Sequence, residues 1–213
     1  MLNNGWEPEA VKMITVKNLT KHFDNKRVID DLSVVLEEGR VTTVMGTSGC
    51  GKTTFAMMLL GLLQPDAGTI EGLENKRLSA VFQEDRLVEH LSATANIKLV
   101  LKKDADAGNI QEQLAMVGLE GELIRKSVGH LSGGQKRRVA IVRAMMAESD
   151  FIFLDEPFKG LDAETKEKVM EYVKRCVEGK TVLLITHDIE ERRYFGGDFI
   201  GAIPGPVCEI FPF

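Results

Sequence analysis

Gly46-Thr47-Ser48-Gly49-Cys50-Gly51-Lys52-Thr53 decides how the rest of this chain is read. The apolar, β-branched run Val41 to Met45 precedes it and is predicted to be a buried strand. The apolar segment Thr54 to Leu62 follows it and is predicted to be a helix. Strand, glycine-rich loop and helix are the context in which G-x-x-x-x-G-K-[ST] forms a phosphate cradle instead of a turn with an exposed lysine. Gly46, Gly49 and Gly51 allow positive φ and close approach of the backbone to a polyanion. Successive N–H groups and the positive end of the following helix then face the phosphates. In that geometry Lys52 reaches the β- and γ-phosphates and the Thr53 hydroxyl holds Mg²⁺. The stretch reads as a nucleotide-phosphate loop.

The chain has 213 residues, room for one large domain or one domain with a sizeable insertion. Hydrophobic residues at 44% and charged residues at 28% are ordinary for a globular protein, and the net charge of −5 argues against non-specific nucleic-acid binding. Cys50, Cys176 and Cys208 have no metal or redox spacing, which reads as reduced thiols in a cytosolic protein. No signal peptide is expected, because Asn3, Asn4, Glu7 and Glu9 stand where an apolar core would lie. The longest strongly apolar run, Phe55 to Leu63, is about half the length needed to span a bilayer. Work at a membrane would therefore go through a partner.

Residues Met1 to Lys12 read as a loose extension. Met13 to Leu19, Val28 to Leu36 and Leu78 to Phe82 read as strands. From Ser92 the pattern changes: Ala95 to Lys103 and Ile110 to Val117 have helical periodicity, joined by a turn over Asp104 to Gly108. A further helix is predicted over Lys136 to Met146. Strand character returns at Phe151 to Leu154 and Thr181 to Ile185. Between them lies an amphipathic helix with Val169, Tyr172, Val173, Cys176 and Val177 on one face. The sum is a mixed α/β core interrupted by a helical lobe.

Phe151-Ile152-Phe153-Leu154-Asp155-Glu156-Pro157 is an apolar strand ending in two carboxylates. Such a strand is expected beside the phosphate-loop strand, so that Asp155 reaches the Mg²⁺ shell. Glu156, projecting differently, is placed to polarise or deprotonate an attacking water. The bland alternative is an acidic pair that merely starts a turn. Leu131-Ser132-Gly133-Gly134-Gln135 exposes backbone N–H groups at a helix start, with Ser132 as both N-cap and phosphate contact. Taken alone, it is mostly a cap.

Together these stretches resemble the nucleotide-binding subunit of ATP-binding cassette transporters. The phosphate loop is similar to the Walker A motif, LSGGQ to the family signature, and FIFLDEP to Walker B with its catalytic glutamate. Gln83 in VFQEDRL resembles the Q-loop glutamine, Gly160-Leu161-Asp162 the D-loop, and His187 in LLITHD the switch histidine. Phe23 falls where an aromatic residue stacks on adenine. The resemblance spans Met13 to Ile210, with every motif in family order. It implies ATP contacts along Gly46, Thr47, Ser48, Gly49, Cys50, Gly51, Lys52, Thr53 and Thr54, and at Phe23, Ser132, Gly133, Gly134, Gln135 and Asp162. It implies Mg²⁺ at Thr53, Gln83 and Asp155, and catalytic roles for Lys52, Gln83, Glu156 and His187. Three features depart from the family pattern: Phe23 stands where tyrosine is common, Lys159 where a small residue, often serine, is usual, and Lys136-Arg137-Arg138 follows the signature. The basic cluster reads as a solvated helix face.

The resemblance implies a P-loop NTPase core with a parallel sheet and an antiparallel edge sheet over residues 13–213, and an inserted α-helical subdomain over about 88–146. It also implies a head-to-tail dimer, of identical or paired cassettes, in which Lys52, Asp155 and Glu156 of one chain meet Ser132 and Gly134 of the other. Integral membrane permease subunits are the implied partners, with a solute-binding protein as a further one and no nucleic acid. The implied place is the cytoplasmic face of the cell membrane. VFQEDRL and PF-x-x-LD resemble importer cassettes of the nitrate, sulfonate and taurine type, and the regulatory domain that sugar-importer cassettes carry is not expected after the last strands. Two rival readings are a soluble cassette ATPase and an ATP-dependent binding module that hardly turns over. The first would be expected to carry a second cassette, a coiled-coil insertion or a basic tail.

Overall fold

The computed structural model describes residues 13–24, 26–102, 107–202 and 210–212. The extension expected over 1–12, Cys208 and Asp104 to Asp106 of the expected turn lie outside them. In chain order the elements are β1 (Met13–Phe23), β2 (Lys26–Glu37), β3 (Val41–Met45), α1 (Lys52–Leu59), β4 (Ala67–Glu71), β5 (Leu78–Val81), α2 (Ala93–Lys98), α3 (Ala107–Met116), α4 (Gly133–Met146), β6 (Phe151–Asp155), α5 (Ala163–Cys176), β7 (Thr181–Ile185), α6 (Ile189–Phe195), β8 (Asp198–Ala202) and β9 (Ile210–Pro212). One sheet is antiparallel, in the order β2-β1-β4. The other runs β5-β6-β7-β3-β8-β9; its first five strands are parallel and β9 closes the edge antiparallel to β8.

Every residue of β6 and of β7 is buried, as strands covered on both faces require. Period-two alternation sends Phe151, Phe153, Leu183 and Ile185 to one face and Ile152, Leu154, Val182 and Leu184 to the other. The first face packs against Phe55, Met58 and Leu59 of α1, backed by Ile14, Val16 and Leu19 of the antiparallel sheet. The second face packs against Ile97, Leu114, Val139, Val142, Val169 and Tyr172, drawn from α2, α3, α4 and α5. Each such side chain contributes about 1.5–3 kcal/mol by leaving water. The parallel sheet is thus a wall between two apolar layers, and its strand ends have fixed positions.

The structure corrects several expectations. The carboxylate strand β6 does not lie beside the phosphate-loop strand β3, because β7 pairs with both and sits between them. The first helix of the lobe starts earlier and ends sooner than expected, at Ala93–Lys98, because Ser92 caps it by accepting the Ala95 N–H. Helix α3 already starts at Ala107, inside the stretch expected to be a turn. Strands β4 and β8 had no expectation at all. In β4 a glycine is required: Gly68 has φ of 89°, and a Cβ there would come within 2.5 Å of the Asn18 and Lys17 carbonyl oxygens.

Candidate nucleotide-binding site

The parallel register sets Val44 opposite Ile185, and Ile185 opposite Asp155. Three strands therefore end at one level, and the segments that follow them leave the sheet on the same side. The carboxyl edge of an open parallel sheet is where α/β folds hold their ligands. A cavity of about 420 Å³ lies there. It is lined by the phosphate loop (Ser48, Gly49 and Gly51 to Thr54), by Gln83, by Asp155 and Glu156, and by His187. Two residues not expected there, Val28 and Lys159, complete the lining.

The phosphate loop is shaped for an anion. Gly51 is the N-cap of α1 with φ of 97°, and neither a side-chain cap nor an acidic residue occupies the first turn. Its leading N–H groups are thus left to a ligand, at the positive end of the helix. A Cβ on Gly51 would lie 3.0 Å from the Val28 carbonyl oxygen, so β2 presses directly on the loop. Lys52 is buried and folds back, donating to the Gly46 and Thr47 carbonyl oxygens at 2.8 Å each. Cys50 is buried below the loop, its Sγ 3.8 Å from the Lys52 ammonium.

Although β7 separates β3 from β6, Thr53 in the first turn of α1 and Asp155 at the end of β6 meet: the Thr53 hydroxyl donates to Asp155 Oδ2 at 3.0 Å. Burial, the largest influence, pushes the Asp155 carboxyl above its ordinary range. The Glu156 charge pushes the same way, and the Thr53 hydroxyl and Lys52 charge pull against it. A divalent cation between the two oxygens would relieve that tension. Among the described residues no cluster of three or more His, Cys, Asp or Glu side chains stands ready to cage a metal. Mg²⁺ needs no such cage, since it keeps several waters and takes one or two protein oxygens plus substrate phosphates. The donor set fits it.

Glu156 sits one residue further, with φ of 44°, a left-handed conformation that a non-glycine residue adopts at a cost of order 1–3 kcal/mol. Its N–H donates to the Ile185 carbonyl oxygen at 2.9 Å, which fixes that turn against the end of β7. The His187 Nε2 lies 3.0 Å from Glu156 Oε1, and the Lys159 ammonium 2.5 Å from Oε2. A network absent from the sequence reading positions His187. Lys166 on α5 lies 2.6 Å from both Asp188 and Glu191, and the Thr186 hydroxyl donates to Glu191. The Asp188 N–H in turn donates to Thr186 Oγ1 at 3.0 Å. These bonds brace the residues on both sides of His187.

Gln83 is exposed at the cavity wall, just beyond β5. The basic cluster after the signature is not a solvated face, contrary to expectation. Arg137 is buried and donates to the Phe82 carbonyl oxygen at 2.6 Å and to that of Gln83, while its Nε lies 3.1 Å from Asp85 Oδ1. Arg138 donates to the Val117 and Gly118 carbonyl oxygens at 2.7 and 3.0 Å. Helical spacing was the available signal: Arg137 falls four residues before Ile141 and seven before Ala144, both on the buried stripe of α4.

The remaining expected residues lie outside the cavity lining. Ser132 is exposed and caps α4 in a capping box, its Oγ accepting the Gln135 N–H at 3.3 Å while Gln135 Oε1 accepts the Ser132 N–H at 2.9 Å. Gly133 is exposed, and Gly134 packs near Leu161 and Gly160 of the same chain. Asp162 caps α5 by accepting the Thr165 N–H, a bond that also holds its carboxyl below the usual range. Phe23 is the last residue of β1 and 45% exposed. Gly46, Thr47 and Cys50 belong to the phosphate loop without lining the cavity itself.

A model of the family described as ABC transporter matches residues 29–159. The chain is 36% identical over 215 residues to the taurine import ATP-binding protein TauB of Pseudomonas aeruginosa, covering 92% of this chain and 81% of that one. It is 37% identical over 195 residues to the spermidine/putrescine import ATP-binding protein PotA of Marinobacter nauticus, covering 84% of this chain. Only about half of that PotA chain, 52%, is spanned. Among solved structures, a dimeric ATP-binding cassette in a post-hydrolysis state bound to ADP and Pi superposes with a TM-score of 0.80 at 27% identity, over 92% of this chain and 96% of that one.

Proposed function

From the premise that this chain belongs to the ABC transporter family, we propose that it is the ATP-hydrolysing subunit of a transporter, working as a head-to-tail dimer to drive solute import through membrane permease subunits. The observation that carries the reading is the single cavity in which the phosphate loop, Gln83, Asp155, Glu156 and His187 converge. ATP-binding import proteins such as TauB and PotA support the direction of transport. They differ in solute. Among the described residues no helix is long and apolar enough to cross a membrane.

The chain's own residues supply the chemistry. The uncapped start of α1 binds phosphate through backbone N–H groups, and Lys52 exchanges its two loop carbonyls for phosphate oxygens. Thr53 and Asp155 would hold Mg²⁺, with Gln83 at the same wall. Bound there, Mg²⁺ would supply positive charge to offset that of the nucleotide's phosphates. Glu156 takes the proton of the attacking water, and His187 fixes the direction of its carboxylate through Oε1. Phe23, at the tip of the β1–β2 hairpin, offers a face for the base, and Ser132 and Gly134 serve the partner's nucleotide.

The test is Glu156→Gln. The amide keeps the shape, so ATP binding should persist, whereas hydrolysis should fall by about 10²–10⁴-fold, the range a general base contributes. The same variant should accumulate an ATP-bound dimer, measurable by size exclusion with ATP. Steady-state hydrolysis at the unsubstituted rate would remove Glu156 from this role.

A further inference from the structure

None of the phosphate, metal or water roles in the proposed function falls to Lys159, yet its side chain lines the same cavity. Its ammonium lies 2.5 Å from Glu156 Oε2 while His187 Nε2 lies 3.0 Å from Oε1, so both carboxylate oxygens are engaged at once. A tight turn creates the contact. The Lys159 N–H donates to the Glu156 carbonyl oxygen at 3.2 Å, and Gly160 follows with φ of 80°. Phe158 between them is buried and stacks on Phe195 with ring centroids 5.6 Å apart, which anchors the turn to α6. The lysine side chain is 60% exposed and the glutamate only 15%. A surface cation with open solvent available thus turns inward, onto the carboxylate that must receive a proton from water. That water needs an oxygen of Glu156 within hydrogen-bond reach, and Nζ occupies the Oε2 side.

We propose that Lys159 is a positioning residue that holds Glu156 away from the attacking water in the open cassette and must be displaced before the water can be activated. This rests on the reading of Glu156 as the proton acceptor. His187 orients one oxygen and Lys159 withholds the other, so turnover carries the cost of opening the second contact. Half-exposed ion pairs of this kind are weak, which makes the contact reversible. Their ordinary strength corresponds to a bias of about twofold to fivefold.

The experiment compares ATP hydrolysis by the full-length Lys159→Ala and Lys159→Arg proteins, with Glu156→Gln and the double variant Glu156→Gln/Lys159→Ala alongside. Lys159→Ala should raise kcat by about twofold to fivefold with KM for ATP unchanged. Lys159→Arg, which keeps a cation on the turn, should return kcat toward the unsubstituted value. In the double variant the gain should vanish, because no base is left to release. An unchanged or lowered kcat in Lys159→Ala, while Glu156→Gln is inactive, overturns the withholding role and leaves the base assignment standing. A raised KM overturns it too, since Lys159 would then be a phosphate contact. Normal turnover by Glu156→Gln removes the base assignment and this proposal with it.

Discussion

Thr53 and Asp155 show how much a single bond carries at this site. The Thr53 hydroxyl is the donor that compensates a carboxylate driven up by burial. Thr53→Val keeps the shape of the side chain and deletes that donor. The loss of a hydrogen bond to a buried acceptor costs about 1–3 kcal/mol, so the metal-free variant should unfold at lower urea concentration. It should also need more Mg²⁺ for half-maximal hydrolysis, because one of two protein oxygens is gone. A Mg²⁺ titration superimposable on that of the unsubstituted protein would exclude Thr53 from the metal shell. That these residues lie together was largely legible from the sequence. Gly46 to Thr53 spells strand end, loop and helix start within one local stretch, and backbone geometry follows from local sequence. The contact from Lys159 to Glu156 was not foreseen, since it depends on the left-handed φ of Glu156 that folds the turn back on itself.

Among elements, the join of β5 and β6 rests on a pair just before both strands. The Arg77 guanidinium donates to Asp150 Oδ1 and Oδ2 at 3.1 and 3.2 Å, and the Arg77 N–H donates to Asp150 Oδ2 at 2.9 Å. The Arg77 side chain, chiefly, and then its N–H hold the Asp150 carboxyl at about 2, below its ordinary range. A carboxyl lowered on folding adds stability that is complete above its unfolded pKa and is lost as pH falls through its folded value. Asp150→Asn should therefore lower Tm at neutral pH, and the deficit should shrink as pH drops from about 4 toward 2. A deficit constant across that range would assign the effect to packing instead of charge. Both partners are exposed, so the effect should be modest. Element by element, the legible pieces were those with a strong local pattern, such as the continuous apolar runs of β6 and β7 and the apolar stripe of α5. Strand β4 was hidden because it carries Gly68 and is almost wholly exposed, as an edge strand can be. Arg137 was misread because charged neighbours on both sides masked its place on the buried stripe of α4.

At the scale of the whole molecule, strand order was the least legible feature, because it is set by contacts between segments far apart in sequence. The carboxylate pair in FIFLDEP is evident locally, but nothing in it says that β7 would insert between β6 and β3. Thr53 and Asp155 meet anyway, since all three strands end at one level and α1 begins above that edge. The same geometry separates the signature from the phosphates. Ser132 is exposed at the start of α4, and Gly134 faces Gly160 and Leu161 of its own chain, outside the cavity lining. If Ser132 touches nucleotide, it touches that of a second cassette. Ser132→Arg should then leave ATP binding by the monomer nearly intact and abolish ATP-driven dimerisation, while the lost helix cap lowers folding stability by about 1 kcal/mol. Lys52→Ala should instead weaken binding within each chain. Mixing the two variants should form dimers in which one site carries both lesions and the other carries none. Dimerisation with ATP, followed by light scattering, should partly return in that mixture, whether or not turnover does. A Ser132→Arg protein that hydrolyses ATP normally while remaining a monomer would show that each chain completes its own site.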